Sequence, residues 1–169
     1  SLHDALPIFF ESFRGIITMI DDFWTESKEN EGCNKFISLE DENSNLVNFI
    51  VTPGTYFVDH VMVKVGDVVT GFYDANAPTP LIFPPQFRAI VMAKTNRNQN
   101  VKVDFFNRQL ISRDGSLKLN ISPSTQILLE NGQKFTGNVA NRNLIVVYGA
   151  STRSIPAQTT PDKIIVLCS

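Results

Sequence analysis

Leu46-Val47-Asn48-Phe49-Ile50-Val51-Thr52-Pro53-Gly54-Thr55 and, at an offset of 70, Ser116-Leu117-Lys118-Leu119-Asn120-Ile121-Ser122-Pro123-Ser124-Thr125 spell one pattern twice. Val47, Phe49 and Val51 fall on Leu117, Leu119 and Ile121, while Pro53 and Thr55 fall on Pro123 and Thr125. Apolar residues at every second position are the mark of a strand that buries one face. The proline that follows has no N–H for a ladder and stops the strand. A second echo sets Pro85-Gln86-Phe87-Arg88-Ala89-Ile90-Val91-Met92-Ala93 against Pro161-Asp162-Lys163-Ile164-Ile165-Val166-Leu167-Cys168, with one residue of slippage. A repeat constrains the whole fold, so the chain is expected to be an internal duplication.

Outward from that stretch, the rest of the chain also reads as strand. Residues 13–20 are rich in β-branched and apolar side chains, and residues 35–40 pair with 46–51 as a hairpin across the Asp41-Glu42-Asn43-Ser44-Asn45 turn cluster. Short strands are expected at 55–58 and, on either side of a Gly66-Asp67 bend, at 61–65 and 68–73; another at 87–93 closes the first unit. The second unit repeats the order with strands at 101–106, 109–112, 117–121, 126–129, 144–149 and 163–168, turning at Asp114-Gly115 and Asn131-Gly132. Nowhere does a 3.6-residue apolar period persist. The fold class is all-β: two tandem small barrels, OB-like or SH3-like, or alternatively one β-sandwich built from both repeats.

The domain expectation is therefore a first barrel over residues 9–94, a polar linker at 95–100 and a second barrel over 101–169. Residues 1–8 resemble the translated remnant of a sequencing adapter and are expected to be a non-native tail. With no initiator Met, the start is expected to be truncated. The 169 residues are 43% hydrophobic and 19% charged, in the range of a globular protein. A net charge of −2 with scattered Lys and Arg gives no electrostatic case for nucleic acid or an anionic membrane. No apolar run reaches the roughly 20 residues that a spanning helix needs. Cys33 and Cys168 are left open as a pair or as two free thiols.

The inventory for chemistry is short. His60 is the one histidine outside the tail, and no Gly-x-Ser-x-Gly elbow exists for it to serve, so it reads as a turn residue. Cys33 and Cys168 lack metal-ligand spacing, and the acidic residues Glu26, Glu29, Glu31 and Glu40-Asp41-Glu42 lack the alternate-oxygen pattern of a calcium loop. No catalytic residue, metal or cofactor is expected, and the chain reads as a non-enzyme. The best candidates for binding lie in two loops, 74–85 and 150–161, each counted as 12 residues. The first is apolar and proline-stiffened, with Asn76, Leu81 and Phe83; the second is polar, with Arg153 and Gln158. Tyr73 and Tyr148, at the strand ends that lead into them, complete the candidate set as stacking platforms beside Phe83.

Two passages carry a resemblance: Val65-Gly66-Asp67-Val68-Val69-Thr70-Gly71-Phe72-Tyr73-Asp74-Ala75-Asn76, and Tyr148-Gly149-Ala150-Ser151-Thr152-Arg153-Ser154-Ile155-Pro156-Ala157-Gln158-Thr159-Thr160-Pro161. Over about residues 13–168 the chain resembles an uncharacterised repeat β-domain of secreted bacterial proteins, sometimes found beside a copper-amine-oxidase N-terminal-like domain. The resemblance transfers no copper ligand and no activity to any residue. It implies an extracellular or cell-envelope location and a module for binding or spacing within a larger protein. Its partner would be another protein, another domain of the same polypeptide, or cell-wall carbohydrate. The alternative function is a tandem OB-like barrel binding single-stranded nucleic acid.

Overall fold

The structure, a computed structural model, describes residues 7–168. Most of the tail therefore lies outside the described residues. The chain divides into two compact units after Thr95, inside the expected linker.

In the first unit, β1 (Phe10–Asp22) pairs antiparallel with β5 (Val68–Asp74) along its first half and with β2 (Lys35–Glu40) along its second. A register shift between Ile17 and Met19 lets one strand serve both partners. Gly15 sits where the partners change: a Cβ there would lie 2.7 Å from the carbonyl oxygen of Glu40, so no larger residue fits without backbone movement. β2 and β3 (Leu46–Val51) form the expected hairpin, residue for residue. β4 (Tyr56–Phe57), β6 (Gln86–Arg88) and β7 (Val91–Lys94) complete a mixed seven-stranded sheet in the order β4-β7-β5-β1-β2-β3-β6. Its core gathers Ile17, Ile37, Leu39, Val47, Phe49 and Met92. Gly71 gives Phe49 its room, since a Cβ there would stand 2.5 Å from the ring.

The second unit holds β8 (Asn100–Phe106), β9 (Leu117–Leu119), β10 (Gln126–Leu129), β11 (Arg142–Tyr148), β12 (Ala157–Thr159) and β13 (Lys163–Leu167). A four-stranded sheet runs β10-β13-β11-β8, and β12 pairs in parallel with β9. Phe106, Leu144, Val146 and Ile164 are wholly buried at its centre. The chain is all-β, with mixed parallel and antiparallel sheets. The ladders do not draw two closed barrels, because the seven-stranded order has ends at β4 and β6. Among the described residues no helix is long and apolar enough to cross a membrane.

The duplication is written in hydrogen bonds. Thr55 Oγ1 donates to the Ala89 carbonyl at 2.7 Å, and Thr125 Oγ1 donates to the Pro161 carbonyl at 2.7 Å. The same hydroxyls accept from the amides of Thr52 and Ser122. Tyr56 N reaches Ile90 O as Gln126 N reaches Asp162 O, and Ile90 N reaches Phe72 O as Asp162 N reaches Val147 O. Pro161 is thus the equivalent of Ala89, which corrects the alignment of Pro161 with Pro85. Proline periodicity misled there, because the two prolines do different jobs.

Three further expectations change. Residues 61–65 alternate in sequence but belong to no strand, with Met62 and Val65 exposed. The expected strand at 109–112 is reduced to isolated bridges at Ile111 and Ser112, after Leu110 at φ 62°. The loop 150–161 is not a counterpart of equal length to 74–85, because it contains β12. β12 was hidden by its short, polar sequence.

Candidate functional site

The hairpin β2–β3 buries Ile37, Leu39, Val47 and Phe49 and turns its alternate residues outward. Register carries one outward row across four strands: Asp21 opposite Phe36, Phe36 opposite Ile50, and Ile50 opposite Arg88. The next row is Met19, Ser38, Asn48 and Gln86, in which Ser38 Oγ donates to Asn48 Oδ1 at 2.6 Å. Phe23 lies in near-parallel stack with Phe36, at 6.1 Å between ring centres and 11° between planes. Phe36 and Ile50, both half-buried, therefore form one apolar row beside the polar Ser38–Asn48 row.

Two grooves meet at Ile50 and Arg88. One, of about 500 Å³, runs toward Phe23, Asn34, Thr52 and Gly54. The other, of about 230 Å³, is walled by Ala77, Pro78 and Pro80 and floored by Tyr73 and Phe87. Those two rings stack at 3.9 Å and 9°. Burial, reinforced by the nearby Glu11 charge, raises the Tyr73 hydroxyl pKa, so the phenol stays neutral at physiological pH. Arg88 is exposed and makes no ion pair or hydrogen bond among the described residues.

The second unit fills the same places differently. Equivalence through the Thr55 and Thr125 bonds sets Asn120 where Ile50 stands, Gln158 where Gln86 stands and Thr160 where Arg88 stands. Asn120 Nδ2 donates to Gln158 Oε1 at 3.1 Å, so these polar side chains satisfy one another. The copies thus share the glutamine and differ at the other two positions.

The sequence-chosen residues divide accordingly. Tyr73 lines the smaller groove, and Tyr148 is its structural equivalent, packed against the second core with its hydroxyl pKa also raised by burial. Asn76 is tied by its amide to Asp74 Oδ1 at 2.9 Å. Leu81, Ile82 and Phe83 stand out from the loop at 103%, 55% and 82% exposure rather than plugging the sheet. Arg153 is exposed within a loop whose Thr152, Ser154 and Pro156 bond one another, and Gln158 belongs to β12. The two loops do share one feature: Phe83 and Ile155, both exposed, each precede a cis proline ahead of β6 and β12. Sequence reasoning missed Phe36, Ile50 and Arg88. Their signal was present: Phe36 and Ile50 occupy the outward parity of an otherwise ideal hairpin.

Other polar clusters are self-contained. Asp41 accepts from the amides of Asn43 and Asn45 and from Asn45 Nδ2, which lowers its pKa. A hollow of about 550 Å³ opens beside that turn at Arg14, Ile16 and Glu40, but among the described residues no group of acidic, His or Cys side chains could hold a metal ion. His60 packs edge-on against Tyr56 at 5.4 Å. Cys33 and Cys168 are both free and exposed. Comparison with known proteins finds no matching family model, no matching curated protein and no matching solved structure.

Proposed function

We propose that this chain is a non-enzymatic β-module for binding within a larger secreted or cell-envelope protein, and that the first unit carries the binding face. One observation supports this above the others: the duplicated scaffold keeps the clamp at Thr55 and Thr125 but sets Ile50 and an unpaired Arg88 where the second unit has Asn120, bonded to Gln158, and Thr160. Phe36 and Ile50 are half-buried and stay partly open to solvent on this face. The secreted or envelope setting rests on the resemblance of residues 65–76 and 148–161.

We also infer an OB-like strand order in each unit. β6 runs parallel to β3, then Ala89 N bonds Ile50 O, Ile90 N bonds Phe72 O, and β7 continues antiparallel to β5. One bent segment thereby links the far ends of the sheet, and β12–β13 does the same between β9 and β11. That order favours a second reading, a nucleic-acid module. Glu26, Glu29 and Glu31 in the loop flanking the face oppose it, because a phosphate backbone seeks positive charge.

Nuclear magnetic resonance of the full chain with a library of short peptides and cell-wall saccharides tests both. Shifts gathering at Phe36, Ile50 and Arg88 while Lys118, Asn120 and Thr160 stay still are the expected result. Shifts confined to the second unit overturn it, and saturable, steeply salt-dependent binding of oligothymidylate replaces it with the second reading.

A further inference from the structure

We propose that the groove between Arg88 and the proline loop captures the C-terminal residue of a partner polypeptide, its apolar side chain entering the groove and its carboxylate pairing with Arg88. The inference rests on the binding-face reading and names the ligand class of that face. Three observations converge on it.

The first is shape and polarity. The groove of about 230 Å³ is lined mainly by Ile50, Tyr73, Ala77, Pro78, Pro80 and Phe87. An apolar cavity of about 150 Å³ already accommodates a benzene ring, so this one takes a single large side chain. The polar lining residues are Asp74, Thr79, Gln86 and Arg88, and Asp74 Oδ1 already accepts from the amides of Phe9 and Asn76.

The second is charge. Arg88 stands at the mouth of the groove with no partner among the described residues. A guanidinium presents two parallel N–H groups that match a carboxylate. A ligand that satisfies both features places a carboxylate directly beside a large apolar group. The last residue of a polypeptide does so, with its α-carboxylate one bond from the carbon that carries the side chain.

The third is the strand edge. β6 ends the seven-stranded order, and the loop residues Ala77, Pro78 and Pro80 wall the groove beside it. In the second unit Thr160 replaces Arg88, and that unit serves as an internal control.

The test uses the full chain and fluorescently labelled, N-acetylated tetrapeptides ending in leucine or phenylalanine, each as the free acid and as the C-terminal amide. Fluorescence polarisation should show the acid binding at least tenfold more tightly than the amide. Arg88→Gln should abolish that preference by bringing the acid down to the affinity of the amide, and Arg88→Lys should restore part of it. Equal affinity for acid and amide, with shifts still gathering at Phe36 and Ile50, overturns carboxylate capture and leaves the binding face standing. So does equal binding of a C-terminally blocked peptide carrying an internal glutamate. Absence of any shift at Phe36, Ile50 and Arg88 with every peptide and saccharide overturns both.

Discussion

At the scale of single residues, the decisive atoms are two threonine hydroxyls. Thr55 and Thr125 are each buried, accept an amide hydrogen from the residue three before them and donate to a carbonyl more than thirty residues away. Each hydroxyl thus ties the turn after β3 or β9 to the segment that closes its unit. Valine keeps the shape and removes both bonds, leaving the Ala89 or Pro161 carbonyl buried without that donor. We expect Thr55→Val and Thr125→Val each to cost about 1–3 kcal/mol in urea unfolding, as unsatisfied buried polar groups do. Serine at either position should recover most of the loss. A valine variant as stable as the parent would show that the shared threonines are decorative. These residues were legible in the sequence as a repeated Pro-x-Thr, although their partners were not, because a carbonyl acceptor leaves no mark on residue identity.

At the scale of elements, the connection from β8 to β9 is organised by one carboxylate. Asp114 accepts from Ser112 Oγ at 2.6 Å, from Ser116 Oγ at 2.7 Å, from Ser116 N at 3.0 Å and from Lys102 Nζ. Its own amide donates to Asp104 Oδ2, joining the turn back to β8. Partial burial pushes its pKa up, but the hydrogen bonds from Lys102, Ser112 and Ser116 outweigh burial and hold it well below the usual carboxylate range. A carboxyl whose pKa falls on folding stabilises the folded state above its unfolded pKa near 4 and loses that contribution as the pH drops further. The group is about half exposed, so solvent screening limits the effect to about 1 kcal/mol. Asp114→Asn should therefore lower stability at pH 7 and flatten the acid limb below about pH 4, read from urea midpoints across pH. Parallel acid limbs for parent and variant would sink this account. The sequence announced the turn through Asp114-Gly115, with Gly115 at φ 75°, but a salt bridge to a strand lysine is a fact of register.

At the scale of the whole molecule, the all-β class was legible, since residues 35–40 and 46–51 became strands without a residue's shift. What stayed hidden depended on pairing. Residues 61–65 alternate like a strand but have no neighbour to ladder with, whereas residues 157–159 are polar and still pair with β9. The binding face stayed hidden for the same reason: Phe36, Ile50 and Arg88 are separated in sequence and become a row only when β2, β3 and β6 are set side by side. Duplication also makes a statement about dynamics. In each unit the strand that closes it is paired to its antiparallel neighbour, β7 to β5 and β13 to β11, and buries residues such as Val91, Met92, Ile164 and Ile165 almost completely. Amides bonded in a ladder and shut off from water exchange only through large openings, while exposed loops exchange freely. Hydrogen exchange of the full chain should accordingly resolve two separate protected sets, one over 68–72 and 91–93 and one over 144–147 and 164–166, each slowed by roughly a thousandfold or more relative to loops 23–34 and 75–85. Protection gathered in only one unit would mean that the copies share a pattern of bonds without sharing the stability those bonds confer.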